Sequence, residues 1–148
     1  MFYIFKNFVF SFLATVGFSM LLNVPKKSIH LCSLSGAVGW TLYIILRRYG
    51  IDNVNSNLYS SIIIALMGEI FARLDKEPVT IFVIPGIFCI VPGYGIYNAM
   101  KNLMEKNYEQ ASRIGFETVF VAGAIATGII IVSSIFKIYS KYKSKAKI

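Results

Sequence analysis

Charge is what this sequence has least of. Asp, Glu, Lys and Arg together supply 15% of its 148 residues, against about 25% in soluble domains. Only seven residues are acidic, and no catalytic set can be built from them. There is no nucleophile with a base and an orienting group, no pair of catalytic carboxylates and no phosphate-cradling glycine loop. The Pro-Gly pairs present lack the lysine and hydroxyl that a phosphate loop requires. The single histidine, His30, lies beside Lys26 and Lys27 in a connection and is read as an interfacial residue rather than a ligand or pH switch. The two cysteines, Cys32 and Cys89, sit in apolar stretches without metal-ligand spacing, which argues against a disulfide framework or a zinc site. The residues give no support for an enzyme and imply no metal and no cofactor.

What the chain has in excess is apolar side chain, 56% of residues, with a mean hydropathy of +0.65. A domain this small has too much surface to hide that much apolar material from water, so its solvent is lipid. The charge-free stretches make the point directly. They run for 19 residues after Lys6, 19 after Lys27, 16 after Asp52, 23 after Glu77 and 19 after Glu117. A helix crossing the hydrocarbon core needs about 20 residues. The sequence therefore predicts an all-α integral membrane protein, one membrane domain over 1–148 with about five transmembrane helices. Their expected spans are 7–24, 31–48, 58–74, 79–103 and 111–139, and the first is read as an uncleaved helix rather than a signal peptide.

The fourth segment differs from the others. Pro85-Gly86 and Pro92-Gly93 stand seven residues apart, with Gly95 just beyond. Each proline removes a backbone donor and disfavours helix in the residue before it. In lipid the freed carbonyls need partners, so broken backbone survives only inside protein or against a wet cavity. The segment is expected to be broken or re-entrant at the two Pro-Gly pairs, the alternative being a kinked spanning helix. Transporters hold substrates at such breaks, with half-helix N-termini aimed at anionic groups. Pro85, Gly86, Pro92, Gly93, Tyr97 and Asn98 are the candidate substrate-path residues.

The net charge of +8 resides in connections and tail rather than on an aromatic-interleaved face, which excludes a nucleic-acid surface. Lys137, Lys141, Lys143, Lys145 and Lys147 read as a cytoplasmic stop signal near anionic lipid. With five crossings, nine basic residues fall on the side of the tail and six on the other, which puts the C-terminus in the cytoplasm.

Small residues recur at helical spacing. Ser11, Thr15 and Ser19 mark the first helix, Ser61, Ala65, Gly68 and Ala72 the third. Gly36, Gly39, Gly68, Ala124 and Gly128 are the candidate close-packing positions, because helices in lipid associate through tight contact. Glu69 and Glu117 fall beside these stripes, and a carboxylate within the membrane marks a proton or ion path by default. Each also has a structural alternative. Glu69 has Arg73 at i+4, and Glu117 lies near a helix start with Arg113 at i−4. Trp40 and Tyr43 are interface anchors or pocket walls.

Taken in order along the chain, these motifs resemble the threonine/serine exporter family, and within it the small second component. They are also similar to the small subunit of two-part succinate exporters. The resemblance rests on Gly17-Phe-Ser-Met, Asn23-Val-Pro25, Gly36-Ala-Val-Gly-Trp40, and Glu69-Ile-Phe-Ala-Arg73 before Pro78. Its most specific part is Ile84-Pro-Gly-Ile-Phe-Cys-Ile-Val-Pro-Gly93 with Tyr97 and Met100; Ala122 to Gly128 and Ser133-Ser134 complete it. Cys89 stands where the family often has a further proline. The resemblance implies proton-motive-force-linked export of a small amino acid or a dicarboxylate, a larger partner subunit and a plasma-membrane location. A homo-oligomer, or a membrane scaffold or assembly subunit that transports nothing itself, remains the alternative.

Overall fold

The computed structural model describes the backbone of residues 2–145 and the side chains of residues 2–142. Lys147 lies outside the described residues, as do the side chains of Lys143 and Lys145. Six helices follow one another: α1 Phe2–Leu21, α2 Ile29–Arg48, α3 Asn53–Asp75, α4 Thr80–Ile87, α5 Gly93–Met104 and α6 Tyr108–Lys145. No strand occurs among the described residues. Four helices, α1, α2, α3 and the Tyr108–Tyr142 part of α6, are long and apolar enough to cross a membrane.

The helix ends follow from local chemistry. Asn23 closes α1 with φ 54°, a left-handed conformation asparagine tolerates, and Pro25 prevents continuation. Arg47 and Arg48 fill the last turn of α2, where cations suit the helix dipole, and Gly50 at φ 82° turns the chain. Asp52 caps α3 by accepting from the Asn55 N–H at 3.2 Å. That cap starts α3 at Asn53, five residues before the expected start, so residues 53–57, outside the expected span, are helix.

α2 and α3 form the middle of the bundle. α1 packs on α2, α6 on α3, and α4 sits among α1, α2 and α3, while α5 packs on α6. The interior combines apolar residues such as Ile64, Phe82 and Val121 with many small polar ones. Thr15, Ser19, Ser28, Ser33, Ser35, Ser56, Ser60 and Ser61 are sealed, whereas Phe2, Phe10, Leu13, Phe116, Ile130 and Ile138 stand outward. Water would favour the reverse arrangement; lipid, as apolar as leucine, leaves tight contact as the force between helices. A Cβ added at Gly36 would meet the Thr15 side chain, one at Gly39 would meet Ile64, one at Gly68 would meet Val83 and one at Gly128 would meet Ser61. Ala124 is half-buried on α6.

The interrupted segment departs in detail from the expectation. Pro85-Gly86 lies inside α4, and the helix runs through it; the chain leaves helical geometry only at 88–92. Pro85 has no N–H, so the Ile81 carbonyl loses its i+4 donor. The Cys32 thiol on α2 donates to that carbonyl at 3.1 Å, satisfying it within the protein. A Cβ at Gly86 would meet Ser35 Oγ at 2.8 Å and Ile64 Cγ2 at 2.9 Å, so Gly86 lets α4 lie close against α2 and α3. The second pair stands where helix resumes rather than where it stops: Pro92 is the N-cap residue and Gly93 the first residue of α5. At eight and twelve residues, α4 and α5 are about 12 and 18 Å long, and neither crosses a ~30 Å hydrocarbon core alone.

Candidate functional site

A cavity of about 510 Å³ lies where α2, α3 and α6 face the 89–98 stretch. Its walls include Trp40 and Tyr43 from α2, Asn53 and Asn57 from α3, and Glu117, Thr118 and Val121 from α6. Cys89, Pro92, Tyr94, Gly95 and Asn98 close the remaining side. The volume is within the usual range for small-molecule sites.

One hydrogen-bonded chain of side chains crosses this wall. Tyr43 Oη donates to Asn53 Oδ1 at 3.0 Å, and Asn53 Nδ2 donates to Glu117 Oε1 at 2.9 Å. Asn57 Nδ2 donates to the Asn53 carbonyl at 2.8 Å and to Asn53 Oδ1 at 3.0 Å. Three helices are thus tied through Asn53. Trp40 stacks on Tyr43 with ring centroids 5.3 Å apart, fixing the tyrosine from behind. Thr118 turns its hydroxyl back to the Ile114 carbonyl at 2.7 Å, and a Cβ at Gly95 would meet it, so α5 and α6 touch closely at the cavity floor.

The segment between α4 and α5 is held from α1. Cys89 Sγ and Thr15 Oγ1 are 3.2 Å apart, and Phe88 stacks on Phe18 at 4.4 Å. In the first turn of α5, Gly93 N–H bonds to Val91 O and Ile96 N–H to Pro92 O. The amides of Tyr94 and Gly95 are left as the free donors that any helix start carries.

The candidate residues separate into two groups. Pro92, Asn98 and Glu117 meet at the cavity. Pro85 and Gly86 are buried in the α2–α4 contact instead, while Gly93 lies outside the cavity wall and Tyr97 is 64% exposed. Glu69 is 7% exposed and pairs with Arg73 at 3.2 Å, whose guanidinium lies 4.4 Å from the Phe136 ring centroid. It is twelve residues from Asn57 along α3, about 18 Å away, so the two acids do not share a site. Asn53 and Asn57 were missed as site residues, although they continue the Ser61–Ala65 stripe backward in steps of four.

Residues 7–135 match the family described as Threonine/Serine exporter, ThrE. The chain is also similar to a protein of Haemophilus influenzae (strain ATCC 51907 / DSM 11121 / KW20 / Rd) that is named only as uncharacterized. The two are 22% identical over 138 residues, which cover 88% of this chain and 46% of that protein. The chain therefore spans about half the length of that relative. No solved structure matches.

Proposed function

Because the chain belongs to the threonine/serine exporter family, we propose that it is a membrane subunit of a secondary transporter exporting small amino acids, threonine and serine foremost. A larger partner subunit completes the path; about half of the longer relative has no counterpart in this chain, which supports such a partner. The observation that carries the reading is the cavity beside the interrupted segment, with Glu117 in its wall. Pro92 and Asn98 line the path, and the free amides at the start of α5 receive the substrate carboxylate. Glu117 is the coupling acid, exchanging protons with the gradient. Glu69, held by Arg73, stabilises the far end of α3. In this arrangement α4 and α5 share one crossing of the plasma membrane, and the C-terminus is cytoplasmic.

The wall chemistry favours an amino acid over a dicarboxylate. No lysine or arginine lines the cavity among the described residues. Succinate would set its second carboxylate beside Glu117 without a counter-charge, and like charges at that distance repel. A zwitterion brings its own cation.

The test is efflux of preloaded radiolabelled threonine, serine and succinate from cells expressing this chain with and without its larger neighbour. Threonine or serine efflux requiring both chains is the expected result. Glu117→Gln retains an acceptor for Asn53, so assembly is expected to survive while gradient-driven efflux falls at least ~10-fold. Unchanged export by that variant would remove Glu117 from coupling. Loss of export in step with loss of assembly would favour a scaffold.

A further inference from the structure

We propose that Asn57 and Glu117 form the pole of the cavity that binds the primary ammonium group of a small zwitterionic amino acid. The inference rests on the transport reading above and goes beyond it by assigning the substrate's cationic end to named atoms.

Asn57 is 3% exposed. Its amide orientation is fixed by chemistry, because Nδ2 gives both hydrogens to acceptors on Asn53, and a flipped amide would face them with an oxygen. Oδ1 is consequently left buried with no donor. Such an acceptor is a standing free-energy cost that a ligand N–H would recover. Glu117 is exposed rather than buried, and it contributes charge instead of an orphaned acceptor. Its Oε1 takes the Asn53 amide, whereas no protein donor reaches Oε2 and no lysine or arginine pairs with it among the described residues. The titratable groups that share its wall are Tyr43 on α2, Cys89 before α5 and Tyr94 on α5, with no lysine, arginine or histidine among them.

Asn57 and Glu117 line the same cavity, their side chains linked through Asn53, and no lysine or arginine among the described residues shares that wall. A primary ammonium offers three donors and one positive charge, matching both. Tyr94 and Gly95, whose N–H groups have no backbone partner, line the same cavity and are the candidate donors for the other end. A ligand with ammonium and carboxylate on one carbon satisfies both poles.

The chain carries its own reporter. Cys89 lines the cavity, whereas Cys32 is fully buried with its thiol on Ile81 O. Full-length protein in lipid nanodiscs would be labelled with a small maleimide, with Cys89→Ser confirming the site. L-threonine is expected to slow labelling, and N-acetylthreonine, which lacks the ammonium, to need at least ~10-fold more. Asn57→Leu should raise the threonine concentration needed by a similar factor. Asn57→Gln, which keeps an amide donor as well as an acceptor, should stay within about 3-fold of the parent; it guards against a folding defect in the leucine variant. Equal protection by threonine and N-acetylthreonine, protection by sodium chloride alone, or no protection by threonine would each overturn the proposal. Efflux measured in parallel separates the two ideas. Threonine efflux that persists without ammonium-dependent protection overturns the pole and leaves the transport reading standing. Ammonium-dependent protection without efflux supports the pole and removes transport.

Discussion

Replacing Gly86 by alanine and replacing Gly17 by alanine should move stability in opposite directions. At Gly17, four residues before the last residue of α1, an added Cβ has nothing within 4 Å. The substitution then acts through helix propensity alone, a gain of up to about 1 kcal/mol. At Gly86 the same methyl group would sit 2.8 Å from Ser35 Oγ and 2.9 Å from Ile64 Cγ2, with the Gly36 nitrogen behind at 3.6 Å. Ser35 and Ile64 are both fully buried, and the serine hydroxyl is engaged with Cys32 O at 2.8 Å, so neither has free space to yield. Overpacking of this kind costs about 1–3 kcal/mol. The propensity gain is small so close to the end of α4, leaving a net loss of about 1–2 kcal/mol. Reversible unfolding in mixed micelles titrated with dodecyl sulfate, followed by circular dichroism, reads the difference. The two variants should lie about 2–3 kcal/mol apart. If Gly86→Ala proves as stable as Gly17→Ala, the close approach of α4 to α2 is wrong.

Three further outcomes are expected. Cys32→Ser keeps a donor for the Ile81 carbonyl and should unfold like the parent, whereas Cys32→Val strands that carbonyl at a loss of about 1–3 kcal/mol; equal stability of the two would deny the thiol its capping role. Asp52 is held below the usual carboxylate range, chiefly by the Asn55 N–H and then by the Asn55 side chain. Its contribution is present above the unfolded-state value and fades as pH falls through the lower folded one, so acid should fray the start of α3. Asp52→Asn, which still caps, should abolish that pH dependence of amide exchange over residues 53–57; an unaltered profile would exclude Asp52 as its source. Lys27 is raised by its bond to Glu77, 2.8 Å away, aided by the charges of Glu77 and Asp75. That contribution is complete below the unfolded-state value and is lost as pH rises through the folded one. Protection of amides 22–28, taken relative to their intrinsic base-catalysed exchange rates, should thus fall in alkali in the parent but not in Lys27→Met.

The long helices were legible because charge is costly in lipid, and the gaps between charged residues are a ruler for the hydrocarbon core. The beginning of α3 was not. Asparagine has low helix propensity and clusters in turns, so Ile51–Asn57 reads as a loop until Asp52 is seen to cap it. That shift hid Asn53, which holds Glu117, and Asn57, which holds Asn53. Pro85-Gly86 misled in the opposite way, because a proline inside a helix is tolerated when a neighbour supplies the missing donor. The donor is a cysteine 53 positions earlier in the chain, and nothing in local spacing announces it. Glu117 was visible as an expensive acid, but its separation from Glu69 follows only from the length of α3.

The two pieces of the interrupted segment have partners on opposite sides of it in the sequence, and this sets an order of assembly. α4 packs on α1, α2 and α3, all synthesised before it, so it can dock as it emerges. α5 packs on α6, which does not yet exist when α5 leaves the ribosome, and chains fold from the N-terminus during synthesis. The wall carrying Tyr94 and Gly95 must wait for the wall carrying Glu117. A nascent chain stopped after Met104 would hold the α1–α4 packing and have no cavity, so the site is the last part of the molecule to come into being.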